Sequence, residues 1–360
     1  MRDFLAEKVL VKTMDWSPEE ISTERPLLQA LASFKYNDYQ QYNAGIRFFE
    51  SLIRWLSQFK DISERKIAYS FLKEYLIFIS NEQINHLISI TYNEVVNPIL
   101  LAKTAYETNI SKYHVARIKS NPLYGINLRR SLFIGLSDGS KIDIFRRMSG
   151  LSNEQVTTTH EISRDKLENI LEELEKDTEK GKKFHTIFLI DDFTASGISY
   201  FRPEESKGKI YIFLNKVFVQ NDKNWEQLID KETSEIHIIF YIATHEAVEK
   251  LSSEINQWQE QNSIPNTIKV HVLQIIDKSI KDSILIKSDL MTVVSKYFDP
   301  SIINRHYRKG KCDKPYLGFN EGALPLVLYH NTPNNSLPIL WFEEDRKYVG
   351  LFPRISRHKE

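Results

Sequence analysis

From about residue 131 onward the chain alternates short apolar, β-rich runs with amphipathic helical stretches, and this alternation constrains the fold more than any other feature. Residues 132–136 (LFIGL) read as a strand, and Ile142, Phe145 and Met148 as a short helix. Residues 155–160 read as a β-branched strand. A charged helix follows over 163–180, with Leu167, Ile170, Leu171 and Leu174 turned inward. Residues 186–190 form a buried strand. Ile210, Phe213, Leu214, Val217 and Phe218 then follow a helical step, although Ile210, Ile212 and Leu214 also alternate. Residues 236–243 and 268–276 are further strands, with helices over 246–258 and 289–297. Strands separated by helices of this length build βαβ units. The expectation is an α/β fold: a mainly parallel sheet with flanking helices. Ligands of such sheets bind beyond the carboxyl ends of the strands.

The first third of the chain has a different period. Ile46, Phe49, Ile53 and Leu56 step by three and four, and Asp61 with Glu64 and Ser80 with Gln83 have the spacing of capping boxes. Pro98 suits the first turn of another helix. An α-helical N-terminal region is therefore expected over 1–125, the α/β domain over 126–345 and a tail over 346–360. Residues 111–130, rich in Lys, Arg and Tyr, read as a solvated linker or a basic contact.

Composition narrows the class. Lys plus Arg and Asp plus Glu are both 48, so the chain has no net positive field to attract nucleic acid, which makes such a partner unexpected. One cysteine among 360 residues excludes an intramolecular disulfide and favours a reducing, cytoplasmic setting. No run reaches ~18 apolar residues, so no membrane span is expected. The histidines lack the HExxH spacing, and neither GxGxxG nor GxxxxGK[ST] occurs. His245 follows a strand, where a general base and a structural histidine are both open.

The most specific string is TIFLIDDFTASGIS, residues 186–199. Two adjacent carboxylates and a small-residue loop come directly after a hydrophobic strand. Small residues let backbone N–H groups converge, and serine hydroxyls add donors, as a phosphate requires. Asp191 and Asp192 cannot both enter a core without a heavy desolvation cost. Facing a cleft, they suit the vicinal hydroxyls of a ribose. Phosphate donors beside diol acceptors describe a ribose 5-phosphate site.

This string resembles the signature of type I phosphoribosyltransferases. The resemblance implies that Asp191 and Asp192 hold the ribose hydroxyls of phosphoribosyl pyrophosphate, as candidate catalytic and metal-binding residues. It implies that Thr194, Ala195, Ser196, Gly197, Ile198 and Ser199 wrap the 5-phosphate. Ala195 stands where many members carry an acid, which puts proton abstraction at that point in doubt. Upstream, Ser137, Asp138, Gly139, Ser140 and Lys141 occupy the place of the pyrophosphate loop, with Mg²⁺ as the expected cofactor. The string 322–341, GALPLVLYHNTPNNSLPILW, with the helical N-terminal region resembles the PRTase-CE branch, associated with bacterial conflict and phage defence. Asn331, Asn334, Asn335 and Trp341 are candidates to read and stack on a base; an Asx-turn with a core tryptophan is the other reading. The expected function is transfer or removal of a phosphoribosyl group, and the resemblance implies a role as an effector of anti-phage defence. The alternative is a non-catalytic phosphoribosyl- or nucleotide-sensing module that signals to a partner protein. A protein partner is expected at the N-terminal helices.

Overall fold

The computed structural model describes residues 3–158, 164–305 and 307–355. The chain packs as two compact units, Met1–Ile84 with Asp277–Glu360, and Asn85–Ile276. This division cuts across the boundaries expected near residues 125 and 345. The reason lies in the strands. Among the described residues there are seven: β1 (Ile77–Ile79), β2 (Ser131–Gly135), β3 (Val156–Thr157), β4 (Thr186–Thr194), β5 (Glu235–Thr244), β6 (Ile268–Ile276) and β7 (Leu326–Leu328).

The first unit, here the helical unit, joins sequence-distant segments. β1 pairs in parallel with β7, Ile77 opposite Leu326 and Ile79 opposite Leu328. The helix Phe48–Ser57 buries Phe49, Leu52, Trp55 and Leu56. Trp55 Nε1 donates to the Ile339 carbonyl at 2.7 Å. The expected capping boxes form: Asp61 N donates to Glu64 Oε2 at 3.4 Å and Ser80 N to Gln83 Oε1 at 2.9 Å.

The second unit, the sheet unit, holds the expected parallel sheet, in the order β3-β2-β4-β5-β6. Its central strands are buried on both faces, as a sheet covered by helices requires. One face carries Leu132, Ile134, Ile187, Leu189, Ile236 and Ile238 against the helices Arg164–Asp177, Lys209–Phe218 and His245–Asn262. On the other, Phe133 stacks on Phe188 with ring centroids 4.8 Å apart. The stretch 210–218 is helical, which settles its ambiguous pattern. The strand expected over 155–160 is paired only at Val156–Thr157; residues 159 and 160, and residue 163 at the expected start of the next helix, lie outside the described residues. Residues 111–130 are not an open linker. They carry the helices Val115–Lys119 and Pro122–Arg129, and Arg129 Nε meets Asp177 Oδ2 at 2.6 Å.

At the amino end of the sheet, Lys103 Nζ bonds Glu235 Oε1 at 2.9 Å and His185 Nδ1 at 2.7 Å. His237 Nδ1 lies 3.0 Å from His271 Nε2. Burial, then the charges of His237 and Lys269, holds His271 down to about 4. Burial and Lys103 also lower His185. The unfolded chain therefore binds more protons than the folded one as pH falls from about 6.5 towards 4. Folding stability is expected to be fully present above that window and to decline through it. His271→Gln should flatten part of the decline in a melting-temperature series, and an unchanged slope would show that His271 does not titrate this way.

Candidate phosphoribosyl site

The strand order decides where to look. After β2 the chain crosses to β3 on one side, then returns to β4 on the other, so the connections diverge between β2 and β4. A crevice at such a switch point is the usual ligand site of an open α/β sheet. β4 also outruns its neighbour. It pairs with β2 only as far as Gly135 opposite Ile190, then continues against β5, with Thr194 opposite Ala243. The edge of β4 beyond Ile190 therefore opens where β2 turns away, and Asp191 and Asp192 stand there.

Strand parity gives the two carboxylates different environments. Asp191 continues the row of Ile187 and Leu189 and is 0% exposed. Asp192 continues the row of Phe188 and Ile190 and is half-buried. A buried carboxylate needs donors, and Asp191 has four. Its Oδ1 accepts from the Ser137 hydroxyl and, at 3.1 Å, from Asp192 N. Its Oδ2 accepts from Tyr200 OH at 2.9 Å and Lys209 Nζ at 2.8 Å. Burial, followed by the Asp192 charge, raises the Asp191 carboxyl above the usual range, while Lys209 and Ser137 act in the opposite direction. Asp192 Oδ1 accepts from Phe193 N at 2.8 Å.

The turn after β2 meets both acids. Ser137 reaches Asp191, and a Cβ placed on Gly139 would lie 2.5 Å from Asp192 Oδ2, so a side chain there would have to displace the Asp192 carboxylate. Tyr241 of β5 donates to the Ser140 carbonyl at 2.8 Å, and Ser140 Oγ donates to the Ser137 carbonyl at 2.6 Å. Lys141, with φ 48°, closes the turn before the helix Ile142–Ser149. Among the described residues, the N–H groups of Ser137, Asp138 and Gly139 have no acceptor. Gly135-Leu-Ser-Asp-Gly139 also has the spacing of a hydrolase nucleophile elbow. Ser137 is extended there, φ −159° and ψ 174°, and gives its hydroxyl proton to a carboxylate rather than an imidazole, which does not fit that chemistry.

The loop after β4 is a turn rather than a helix start, and its glycine is a packing residue. It does not open an α-helix: Tyr200 N and Phe201 N both return to the Gly197 carbonyl in a turn, a short 3-10 turn follows at Pro203–Glu205, and the next α-helix begins at Lys209. Nor does the bare face of Gly197 look into the loop. A Cβ there would meet Leu251 Cγ at 3.0 Å, so Gly197 serves the packing of the helix His245–Asn262 together with its own φ of +71°. The rest suits an anion. Thr194 Oγ1 accepts from Gly197 N at 3.2 Å, and Thr244 Oγ1 donates to the Ala195 carbonyl at 2.7 Å. Among the described residues, the N–H groups of Ser196, Ile198 and Ser199 have no acceptor. Ser199 is exposed; Ser196 and Ile198 are buried.

The third candidate set belongs to the helical unit, and several of its polar groups are used there. Asn335 Nδ2 donates to the Phe319 carbonyl at 2.9 Å, Asn334 O accepts from Phe319 N at 2.7 Å, and Asn331 Oδ1 accepts from Gln41 Nε2 at 3.1 Å. Trp341 is 6% exposed, and its Nε1 donates to the Ser336 carbonyl at 2.8 Å. These bonds favour the Asx-turn reading at Asn335 and the core reading at Trp341. The string folds as a turn closed over a core tryptophan. His245 is exposed, 3.5 Å from Glu249, as a helix-start histidine.

The PRTase-CE family model matches residues 52–354. The chain belongs to the PRTase-CE family. The match runs from inside the helix Phe48–Ser57 almost to the last described residue, so PRTase-CE describes both units and not the sheet alone. No curated protein and no solved structure matches the chain. A PRTase-CE member is expected to be phosphoribosyltransferase-like, and no helix among the described residues is long and apolar enough to cross a membrane. Sequence reasoning missed Tyr200, Lys209, Thr244 and Tyr241, which brace the two loops from outside the motif. The available signal was Gly208, one of only 12 glycines, directly before Lys209.

Proposed function

We propose that this PRTase-CE protein binds phosphoribosyl pyrophosphate or a nucleotide at the β2–β4 switch point and transfers or removes a phosphoribosyl group. One observation carries the reading: the N–H groups of residues 137–139 and of residues 196, 198 and 199, without an acceptor among the described residues, flank Asp192 on the open edge of β4. The first set suits a diphosphate, the second a 5-phosphate, and the carboxylate a ribose diol. Asp191 does not share the ligand role expected of it, because both its oxygens are already bonded and buried. It is equally unsuited to Mg²⁺. Among the described residues no group of three or more His, Cys, Asp or Glu could hold a metal. Mg²⁺ would be held by diphosphate oxygens with Asp192 as the protein carboxylate, and would neutralise the departing diphosphate. The chain supplies oriented donors where that charge develops. We carry over from the family resemblance the setting of bacterial anti-phage defence, with the protein as an effector.

A second reading, a phosphoribosyl- or nucleotide-sensing module without turnover, is favoured by Ala195, which leaves that position of the loop without an acid. Isothermal titration of phosphoribosyl pyrophosphate with Mg²⁺ tests both. Wild type is expected to bind, and Asp192→Ala to lose at least tenfold in affinity while keeping its melting temperature. An Asp192→Ala protein that melts early and binds normally would make Asp192 a structural cap. Pyrophosphate release with candidate acceptors then separates transferase from sensor.

A further inference from the structure

We infer that Lys209 is a positioning residue of this site: by neutralising Asp191 it holds the turn of residues 137–141 in the shape that takes a diphosphate. The inference rests on the phosphoribosyl reading for its ligand and on the fold alone for its geometry. Asp191 joins four points of the chain: Ser137 of the turn, Asp192 N, Tyr200 and Lys209. Only Lys209 among these brings a positive charge. A fully buried carboxylate without a cation must admit water or a proton, and either would loosen its bond to Ser137. The turn has a second anchor at Ser140, through Tyr241 OH. Losing the Ser137 anchor would leave it held at one end, free to change the spacing of the N–H groups of residues 137–139.

Lys209 reaches Asp191 because the chain makes a closed excursion. Arg202 and Lys207 bridge in antiparallel fashion, Arg202 N donating to the Lys207 carbonyl at 2.9 Å. Gly208, with φ +110°, then presses on the Tyr200–Phe201 backbone, where a Cβ would lie 2.4 Å from the Tyr200 carbonyl oxygen. Lys209 thus opens its helix beside Tyr200, its Nζ 5.0 Å from that ring's centroid. The Lys209 side chain is 34% exposed, so it approaches from the solvent side of a carboxylate that is itself closed off.

Two measurements test this on the full chain, using Lys209→Met, Lys209→Arg and the neutral pair Lys209→Met/Asp191→Asn. Amide hydrogen exchange without ligand should rise at least tenfold over residues 137–141 in Lys209→Met. It should stay near wild type in Lys209→Arg and return towards it in the double variant, whose buried group is uncharged. Unchanged exchange in Lys209→Met overturns the inference whether or not any ligand binds. Titration with inorganic pyrophosphate plus Mg²⁺ should show at least a tenfold loss for Lys209→Met, recovered in the double variant, with ribose 5-phosphate affinity within about twofold of wild type. Equal loss of both ligands would mark a general structural role, and a double variant as weak as Lys209→Met would make Lys209 a direct ligand contact; both overturn positioning. If wild type binds neither compound, the phosphoribosyl reading fails, and the exchange result still decides the role of Lys209.

Discussion

Trp341→Ala is expected to destabilise the helical unit by about 3–5 kcal/mol, the usual cost of emptying a large aromatic site. The indole lies 6.4 Å from the Tyr307 ring, centroid to centroid, with the Arg354 guanidinium 5.4 Å over its face. Its N–H bond to the Ser336 carbonyl would also be lost, leaving a buried acceptor unpaired. Trp341→Phe should cost less, because it keeps an aromatic ring and forfeits mainly that bond. Thermal unfolding followed by tryptophan fluorescence and near-ultraviolet dichroism should show the order wild type, Phe, Ala. A Trp341→Ala protein that melts like wild type but loses nucleotide affinity would restore the stacking role and remove the core assignment.

The second large effect belongs to Gly208→Val. The substitution asks a β-branched residue to adopt φ +110° and to place its Cβ 2.4 Å from a backbone oxygen that cannot swing away. We expect a loss of about 3 kcal/mol or more, because both strain and a displaced helix start are involved. The helix Lys209–Phe218 should retain its core residues Phe213 and Leu214 while its first turn shifts, detaching Lys209 from Asp191. Pyrophosphate affinity should then fall at least as far as in Lys209→Met. A folded Gly208→Val protein with wild-type melting and wild-type pyrophosphate binding would show that the excursion over residues 201–208 closes without needing glycine.

Much of the sheet was legible because its strands are continuous apolar runs separated by helices with clear stripes, as at Leu167, Ile170 and Leu174. Within the site, the location of the acids was legible and their division of roles only partly so. Parity along 186–192 already places Asp191 in the row of Ile187 and Leu189. Yet sequence alone does not show that this row faces the more crowded side, or that Tyr200 and Lys209 wait there with donors. The exit of the loop after β4 was not legible. Residues 201–208 carry no helical period of their own, and an Arg202–Lys207 bridge is a pairing between side-by-side backbones that composition does not encode. The tryptophan and amide string was open to two readings because a turn rich in asparagine looks the same whether its amides face a ligand or its own backbone. Only the partners, Phe319 and Gln41, far away in sequence for the latter, decide between them. The boundary expected near residue 125 differs from the division into two units for a related reason: three-residue strands such as β1 and β7 are too short to announce that they pair with each other.

That pairing bears on how the protein is made. The sheet unit is an insertion of about 190 residues between the two parts of the helical unit. During synthesis the N-terminal helices leave the ribosome long before the segment carrying β7 and Trp341 exists. At about 5–20 residues per second the wait is on the order of 10–40 s. Over that interval the sheet unit, whose strands all lie in one continuous stretch, can complete its own core. Trp55 and β1, by contrast, lack the Ile339 and Leu326 segments that later join their unit. The early helices are thus the part of a nascent chain most exposed to chaperones and proteases, and a chain cut short after residue 276 would carry a whole sheet unit attached to half of a helical one.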